Sequence, residues 1–535
     1  MIYINRFFLR FFSQIRKFYL NSNIYDKKIS KTDDKDIIYK PSPHLLSSLI
    51  KYQNKKFRIE DFSTEVIWEN NNLNFKEFKN LNSFYWFFSL DLKSSKKTTQ
   101  SIITNWIKNN NKYNNSWDFD ITAKRIIAWL SCHNLTYDDG DLIYRNNFNK
   151  IIKKQTNHLI NEINQSKLVE DKLIGCASII LVGLSYNNEK NYLSFGSSLL
   201  KKISKLSLDN TGFPKTRNIK QLIFYLKYFI LIREWFKESL MNVPEHIEET
   251  IFQLGKGYAF VSQNNKSYFL FNGNNILENL EFDNYLKRLG YKFKNDDHDF
   301  GGYSILKNKK ICLIMDTGSS PHTKYSKDYQ AGALSFEIIS NGKKLISNCG
   351  YYKRYNMNLN QLSKSSAAQS TLVIDDNSSC KFDKIKDNFL LKKGLKILKK
   401  NNVYDKNYWK ICASHDGYLK KYNSVHERQI EFYPEHMTFV GTDKIIKKKT
   451  NNNYKFDIRF HVEPGVKLMK TQDNQTILIE LDDEGWKFTC EKYDINIDNG
   501  LYFGKKNLYT ENQNIFISGI SSDQIDNIKW EIKKI

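Results

Sequence analysis

The densest group of titratable residues in the chain begins at residue 415. His415 stands in "SHDGY" with Tyr418 close behind it, and His426 and Arg428 stand in "HER" on the next strand pattern. Histidine and tyrosine can pass protons to and from a reacting group, and arginine can bind a carboxylate through two hydrogen bonds. Because His415 lies at a turn between polar residues, we expect it to be functional, with Tyr418 and His426 as further catalytic candidates.

Two more basic residues, Arg459 and His461, follow in "RFH". A lone buried histidine is more often a satisfied core residue than a catalyst, so we expect a structural role for His461. Arg459 is assigned to binding an acidic group. For Arg428 two readings stay open, a clamp on a ligand carboxylate or a salt bridge to Glu427 or Asp443.

Two amides flank a predicted hairpin in "DYQAGALSFEIISNGKKLISNCG". Alternation of apolar and polar residues predicts strands over residues 333–339 and 343–347, and the pair Asn341-Gly342 supplies the positive φ angles of a tight turn. Gln330 opens the first strand and Asn348 closes the second. Neither amide has an obvious packing role at these positions.

The elements that carry these residues change character near residue 260. Before it, apolar residues recur at helical spacing, as in "ITAKRIIAWL", where Ala123, Ile126, Ile127 and Leu130 share one face and Asp118 or Asp120 is placed to cap. From Tyr303 onward, short alternating strands are separated by turn clusters, a pattern typical of an antiparallel sandwich. The sequence therefore predicts helices first and a large β domain second.

Length and composition set the outer limits. A chain of 535 residues favours more than one domain, and 82 basic against 58 acidic side chains give a net charge of +24. The charge indicates either an anion-attracting surface or an overall Lys-rich composition of the kind that an AT-rich genome produces. Seven widely spaced cysteines without a CxxC pattern suggest core filling and no disulfide or zinc framework.

The first twenty residues, "MIYINRFFLRFFSQIRKFYL", break their apolar run with Arg and Lys every few positions. They lack the uninterrupted apolar core and cleavage site of a secretory signal, and an amphipathic helix that touches a membrane or another domain is expected. The longest apolar run, "LIFYLKYFILI", contains Lys227 and is shorter than the roughly 20 residues of a membrane span.

Several segments in register resemble the heparinase II/III-like proteins, especially an alphaproteobacterial branch. In the β half these are "GALSFEIISNGKKLISNCG", "SAAQSTLVIDD", "ASHDGYLKKYNSVHER" and "FDIRFHVEPGV". In the helical half they are "SFYWFFSLDL", "SWDFDITAKRIIAWL", "DNTGFPKTRN" and "YFLFNGNN". The resemblance covers roughly residues 80–535.

This resemblance implies an incomplete (α/α) toroid followed by an antiparallel β-sandwich. We place an N-terminal extension at residues 1–60, the helical domain at 61–260, a connector at 261–300 and the β domain at 301–535. It also implies polysaccharide lyase chemistry on uronate-containing glycans, in which a base removes the C5 proton, donors neutralise the carboxylate and an acid protonates the leaving oxygen.

The family's zinc site maps onto three amides here. A His, an Asp 18 positions later and a further His of the family match Gln330, Asn348 and Gln369. Carboxamide nitrogen does not ligate zinc, and amide oxygen is a poor neutral donor. The sequence therefore predicts no metal or other cofactor, and a network in which the three amides bond to one another.

The helical half departs from the lyase pattern as well. The family tyrosine falls near Lys220 or Gln221, and Tyr225 is the nearest catalytic candidate. In the polar "PKTRN" link, Lys215 and Arg217 are placed to bind an acidic ligand. These departures leave a second hypothesis open, a catalytically reduced protein that binds acidic envelope glycan without cleaving it.

Partners and compartment follow from the same readings. An acidic polysaccharide is the expected ligand, whereas nucleic acid is not expected because no recognition motif or basic-aromatic stripe accompanies the charge. The resemblance implies the cell envelope or periplasm, and the lack of a convincing signal keeps the cytoplasm open.

Overall fold

The computed structural model describes residues 11–535 except for 13, 32–35, 48, 50–72, 92, 167, 187–189, 263–268, 276–279, 354–355, 387, 449–451 and 506–507. The chain forms two compact units. The first comprises residues 1–207, 224–252 and 281–291, and the second comprises 208–223, 253–280 and 292–535. Much of the expected N-terminal extension, including residues 1–10 and 50–60, lies outside the described residues.

The first unit is helical, as the sequence predicts. Residues 11–12 and 14–20 are helical. The helices that follow are Asn23–Ile29, Pro43–Ser47, Phe75–Ser83, Lys96–Asn110, Phe119–Ser131, His133–Thr136, Leu142–Glu162, Val169–Ser185, Lys190–Ser207, Ile219–Glu238, Glu245–Val261 and Leu280–Arg288. None of the helices in the described part of the chain has both the length and the apolar character that a membrane crossing requires.

The helix Phe119–Ser131 shows how the helical spacing is used. Its predicted apolar face is buried, and the neighbouring Arg125 is fully buried as well. The Arg125 guanidinium lies 4.0 Å from the centre of the Trp106 ring and donates to two backbone carbonyls and to Gln155. Asp118 holds the N-cap position but its side chain caps no backbone N–H, a detail that the sequence pattern predicted differently.

The second unit is dominated by antiparallel strands. They are Asp299–Phe300, Tyr303–Lys307, Ile311–Asp316, Phe336–Ser340, Lys343–Ile346, Leu372–Ile374, Lys381–Ile385, Asn388–Lys393, Ile397–Tyr404, Trp409–His415, Ser424–Tyr433, Thr438–Lys447, Tyr454–His461, Lys467–Lys470, Thr476–Leu481, Glu484–Thr489, Ile495–Tyr502, Thr510–Ser521 and Ile525–Lys534. They form sheets of five, eight, four and two strands. Short helices at Met357–Lys364 and Leu419–Tyr422 interrupt them.

The predicted hairpin is present, with strands Phe336–Ser340 and Lys343–Ile346 paired in antiparallel register. Asn341 and Gly342 connect them with φ angles of 42° and 84°. Asn and Gly tolerate this left-handed region at little cost, so the turn pair fixes the register of the hairpin. Gln330 precedes the first strand and Asn348 follows the second, so both lie beyond the end of the hairpin that is away from the turn.

The core of the sandwich is aromatic where three sheets meet. Phe336 of the five-stranded sheet stacks on Trp530 of the eight-stranded sheet, with ring centres 5.5 Å apart and planes at 12°. Phe460 of the four-stranded sheet meets the same indole edge-on at 5.0 Å. All three side chains are at most 2% exposed. The antiparallel β-sandwich predicted from the alternating pattern is therefore confirmed.

Gly441 gives a direct test of this packing. It pairs with Trp530 across the neighbouring strands, and a Cβ atom at Gly441 would lie 2.0 Å from the indole ring. We expect Gly441→Ala to lower the free energy of unfolding by about 1–3 kcal/mol because the ring must move. Urea denaturation measures this. Thr442→Ser on the opposite face is the control, and equal midpoints for the two variants would contradict the packing argument.

Candidate functional site

The titratable group at residue 415 forms one buried chain of hydrogen bonds. Gly417 N donates to His415 Nδ1 at 3.0 Å, and His415 Nε2 lies 3.2 Å from His426 Nδ1. His426 Nε2 lies 2.7 Å from Asp443 Oδ1. For neutral rings these contacts fix both tautomers, with each Nε2–H donating to the next acceptor. His415, His426 and Asp443 are at most 1% exposed.

Asp443 ends this chain of hydrogen bonds and also accepts hydrogen bonds from Arg428 and Trp530. Arg428 binds it through Nε at 2.7 Å and Nη2 at 3.0 Å, and Trp530 Nε1 donates to Oδ2 at 2.9 Å. Arg428 Nη1 also donates to the carbonyls of Leu334 and Ser370. Of the two readings of Arg428, the structure supports the salt bridge to Asp443. Its donors serve the fold, so a ligand carboxylate has no place beside it.

The electrostatics agree with a structural network. Burial lowers the pKa of His415, and the neighbouring His426 and Arg428 lower it further. Burial also lowers the pKa of His426 in spite of Asp443. Burial alone would raise the pKa of Asp443, but the Arg428 guanidinium holds that pKa well below its usual value. Both imidazoles are therefore neutral donors and acceptors in the core, which does not favour the catalytic roles predicted for them.

The two tyrosines among the catalytic candidates are buried as well. Tyr418 is 1% exposed and its hydroxyl donates to the Leu372 carbonyl at 2.6 Å. Tyr225 is 2% exposed within the helical unit, with its ring 6.3 Å from that of Phe224. The described contacts thus tie Tyr418 to the backbone and pack Tyr225 among aromatic side chains.

Arg217 is an internal clamp of the second unit. Its Nη2 atom donates to Asp316 Oδ1 and to the Gly302 carbonyl, both at 2.7 Å, and Nη1 donates to the Gly318 carbonyl at 3.1 Å. A Cβ atom at Gly302 or Gly318 would lie within 2.7 Å of the guanidinium, which explains why these residues are glycines. This placement assigns Arg217 a structural role in place of the expected contact with an acidic ligand.

Two of the remaining basic candidates, Lys215 and Arg459, are partly exposed. Lys215 is partly buried in the link before the helix Ile219–Glu238. Arg459 is 21% exposed, with Nη1 3.3 Å from Asn514 Oδ1 and Nη2 3.4 Å from Asp457 Oδ2. His461 is buried between Cys349 Sγ and the Ala367 carbonyl, at 3.2 and 2.9 Å. The contacts of His461 agree with the structural role expected for it.

At the former metal positions, Gln330 ties three stretches of backbone together. Its Oε1 atom accepts from Gly273 N at 3.0 Å, and its Nε2 atom donates to the carbonyls of Gly350 at 2.9 Å and Ser363 at 2.6 Å. The side chain is 0% exposed. The sequence pattern predicted that the three amides bond to one another. The structure corrects this, because Gln330 bonds to main-chain groups.

The other two amides lie in the same neighbourhood. Gln369 Nε2 is 3.3 Å from the Ser363 carbonyl that Gln330 also uses, and Asn348 Oδ1 accepts from Ser370 N at 2.8 Å. The three positions thus lie in one neighbourhood, although the amides do not bond to one another. Asn348 Nδ2 lies 3.4 Å from Glu337 Oε1. Carboxamide groups do not suit zinc, so the residues present do not fit that ion. In the described ranges, no three His, Cys, Asp or Glu side chains could hold a metal ion.

Next to this network lies a polar group that the sequence reasoning missed. We call it the Tyr351 cluster, and it consists of Asp328, Tyr351, Lys353, Asn360 and Lys364. The Tyr351 hydroxyl lies 3.2 Å from Asp328 Oδ1 and 3.2 Å from Asn360 Nδ2. Lys353 Nζ lies 3.8 Å from Asp328 Oδ2, with its own side chain 67% exposed and that of Asp328 22% exposed. A phenol, a carboxylate and an ammonium group therefore meet where solvent reaches the carboxylate.

Lys364 closes the buried side of the cluster. Its ammonium group donates to the carbonyls of Lys327 at 2.6 Å and Phe389 at 2.7 Å, and it lies 5.9 Å from the centre of the Tyr351 ring. Burial lowers the pKa of Lys364 to about 8. Burial and the Asp328 carboxylate raise the pKa of the Tyr351 phenol. Tyr351 is consequently protonated at neutral pH and can donate a proton.

Local structure positions the cluster from three directions. Asn356 caps the helix Met357–Lys364, which carries Asn360 and Lys364. Asn275 Nδ2 donates to the Tyr351 carbonyl at 2.6 Å, and Asn275 Oδ1 accepts from Lys220 Nζ. One feature of the sequence could have indicated the position of this cluster. Asp328 and Tyr351 lie within three residues of the two amides that attracted attention, on the loop side of each.

The fold and this geometry define a protein with a helical unit and an antiparallel β-sandwich unit that carries the polar Tyr351 cluster. The family model described as Heparinase II/III-like, C-terminal, matches residues 295–531. The match covers less than half of the chain and confirms the resemblance predicted from the sequence. The comparison with curated proteins found no match.

Solved structures extend the likeness to the helical unit. A heparinase III gene product has a TM-score of 0.70 at 14% identity, over 89% of this chain and 81% of that chain. A heparinase III crystal structure has a TM-score of 0.68 at 12% identity, over 96% and 89%. A mutant heparan sulfate lyase from Pedobacter heparinus has a TM-score of 0.68 at 11% identity, over 96% and 87%. This likeness confirms the predicted incomplete (α/α) toroid and β-sandwich.

The buried histidines predict a pH dependence of stability. Burial, followed by the Arg459 charge, lowers the pKa of His461 to about 4, whereas an unfolded histidine titrates near pH 6.5. As the pH falls below about 6.5, the unfolded state binds a proton that the folded state refuses, so the free energy of unfolding decreases. We expect His461→Gln to flatten this decrease between about pH 7 and 5.

Urea denaturation at successive pH values measures the effect. His436→Gln is the control because His436 is exposed. If the His461→Gln curve ran parallel to the wild-type curve across this range, burial of a neutral His461 would not be the cause.

Proposed function

We propose that this protein is a polysaccharide lyase-like enzyme that acts on acidic, uronate-containing glycans by β-elimination. The observation that carries the proposal is the Tyr351 cluster, in which a protonated phenol lies 3.2 Å from the carboxylate of Asp328, whose side chain is 22% exposed. Support also comes from the family of the β unit and from the names of the similar structures, which include a heparan sulfate lyase. The described residues of this cluster all belong to the second unit.

The proposed reaction uses the cluster as a proton relay. Asp328 takes the C5 proton of the uronate, the bond between C4 and its glycosidic oxygen breaks, and a C4=C5 double bond forms. Tyr351 gives its proton to the leaving oxygen and recovers one from Asp328 along their existing hydrogen bond. Protons and electrons balance, since one proton leaves C5 and one arrives at the departing sugar.

The cationic part of the cluster supplies the stabilisation that this chemistry needs. Removal of the C5 proton places negative charge on the uronate carboxylate, which a positioned cation can neutralise. Lys353 is suited to this role because its exposed ammonium group lies beside Asp328. The net charge of +24 would favour the approach of an acidic chain over longer distances.

The second candidate function is binding of acidic envelope glycan without cleavage. The observation that favours it is the burial of His415, His426 and Arg428, which removes the largest titratable group of the sequence from contact with a ligand. Under this alternative the exposed Lys353 of the Tyr351 cluster holds the glycan and the phenol transfers no proton. We propose the cell envelope as the compartment under either function, because uronate glycans occur there, and fractionation of native cells tests it.

Tyr351→Phe separates the two functions. The substitution removes the phenolic hydroxyl and leaves the buried ring in place. Binding of the glycan should therefore persist, while formation of unsaturated product falls about 100-fold or more. Absorbance of the unsaturated product, measured over a panel of uronate polysaccharides, reports turnover, and calorimetry reports binding. Tyr433→Phe is a matched control because its hydroxyl lies 3.5 Å from Glu431 of the same strand, Ser424–Tyr433, which carries no residue of the Tyr351 cluster.

Wild-type protein that binds a glycan and yields no unsaturated product from any substrate would favour the non-cleaving alternative. Turnover in the Tyr351→Phe variant equal to that of wild type would remove Tyr351 from the mechanism. If the wild-type protein neither bound nor cleaved any acidic glycan, both functions would be excluded.

We also propose that amides have replaced the family's zinc ligands at residues 330, 348 and 369. The triple variant Gln330→His, Asn348→Asp, Gln369→His should then bind about one zinc ion per chain, since His and Asp are the donors that zinc prefers. Elemental analysis after dialysis against zinc measures the occupancy. Wild-type protein should retain no more zinc than a variant changed at the exposed His436, and stoichiometric zinc in the wild type would overturn the proposal.

A further inference from the structure

The N-terminal helical segment presents an apolar surface to solvent. Within residues 14–20, Ile15 is 50% exposed, Phe18 is 81% exposed and Tyr19 is 40% exposed. At 3.6 residues per turn these three side chains fall within an arc of about 100°. Ile24, at the start of the next helix, is 75% exposed and extends the same stretch of chain. We call these four residues the apolar arc.

The opposite side of the segment is fixed to the helical unit. Leu20, Tyr25 and Ile29 are buried, and the Tyr25 hydroxyl lies 2.8 Å from His158 Nδ1. Arg16 binds Glu162 through Nε at 3.2 Å and Nη2 at 2.6 Å. Arg16 and Tyr25 thus bond to the helix Leu142–Glu162. These contacts hold the segment with its apolar arc facing solvent.

The charges around the arc are mostly positive. Between residues 14 and 31 the basic residues are Arg16, Lys17, Lys27, Lys28 and Lys31, and the only acidic residue is Asp26. Asp26 is already paired with Lys154 at 2.7 Å, and Arg16 is paired with Glu162. Lys17 and Lys27 are exposed. Exposed aromatic and aliphatic side chains flanked by lysines are typical of a helix that lies in the interface of an anionic membrane.

We infer that the apolar arc docks this protein on the surface of an anionic lipid bilayer. Phe18, Ile15 and Ile24 enter the boundary between headgroups and acyl chains, and Tyr19 lies at headgroup level with its hydroxyl in water. Lys17 and Lys27 contact lipid phosphates, an attraction that falls as the salt concentration rises. The helical unit is thereby held at the membrane through one helical segment. The inference is independent of the chemistry of the Tyr351 cluster.

Flotation with lipid vesicles tests the inference on the full chain. We expect wild-type protein to float with vesicles of mixed phosphatidylglycerol and phosphatidylcholine, and to bind pure phosphatidylcholine much less. The double variant Phe18→Ser, Ile24→Ser should reduce binding to the anionic vesicles at least about tenfold, because it removes the most exposed apolar area. Its thermal unfolding midpoint should match wild type, since both side chains lie mostly in solvent.

Leu240→Ser is the matched control, because Leu240 is 93% exposed in the same unit but lies outside the arc. The inference fails if wild-type protein ignores anionic vesicles, or if the double variant binds them as wild type does. It also fails if Lys17→Glu abolishes binding while the double variant has no effect, since the attraction would then be electrostatic alone. A wild-type dimer that the double variant converts to monomer, without vesicle binding, would show that a second copy covers the arc.

Discussion

The hydrogen bonds of one uncharged side chain, Gln330, hold together the loops of the β unit beside the Tyr351 cluster. They join the backbone at Gly273 to the backbone at Gly350 and Ser363, which lie more than 70 residues further along the chain. A buried amide that lost these partners would leave donors and acceptors unpaired, at about 1–3 kcal/mol each. The geometry of the neighbouring loops is thus set by neutral hydrogen bonds, without a charged ligand set.

This constraint also explains where the Tyr351 cluster lies. Asp328 precedes Gln330 by two residues, and Tyr351 follows Gly350, so each stands beside a backbone group that the amide fixes. The phenol and the carboxylate meet because the two loops are tied at the same point. A buried ion pair also fixes the backbone at Asn348. Lys344 Nζ lies 2.9 Å from Glu337 Oε2, and Glu337 Oε1 accepts from Asn348 N at 3.0 Å.

Much of the fold could be predicted from the sequence, because its signals are local. The helical face of residues 123–130 is buried as its spacing indicates, and Asn341-Gly342 forms the expected turn. The site was harder to predict, because a cluster of titratable residues says nothing about which face of a strand it occupies. Alternation in "HERQIEF" does carry that information, since His426 and Arg428 share the inward face with Ile430. The pairing of Tyr351 with Asp328 depends on the tie between two loops, which no local pattern records.

The buried charges of the sandwich indicate why those histidines remain in the chain without touching a ligand. Arg428 inside an apolar core would cost several kcal/mol if its counterion were missing, and Asp443 would cost a similar amount alone. His426 and Trp530 add one hydrogen bond each to the two from Arg428, so that Asp443 accepts four in all. His415 bonds in turn to His426. A network of this kind tolerates the loss of one member poorly. Selection can therefore retain His415 and His426 for the stability and register of the sandwich alone.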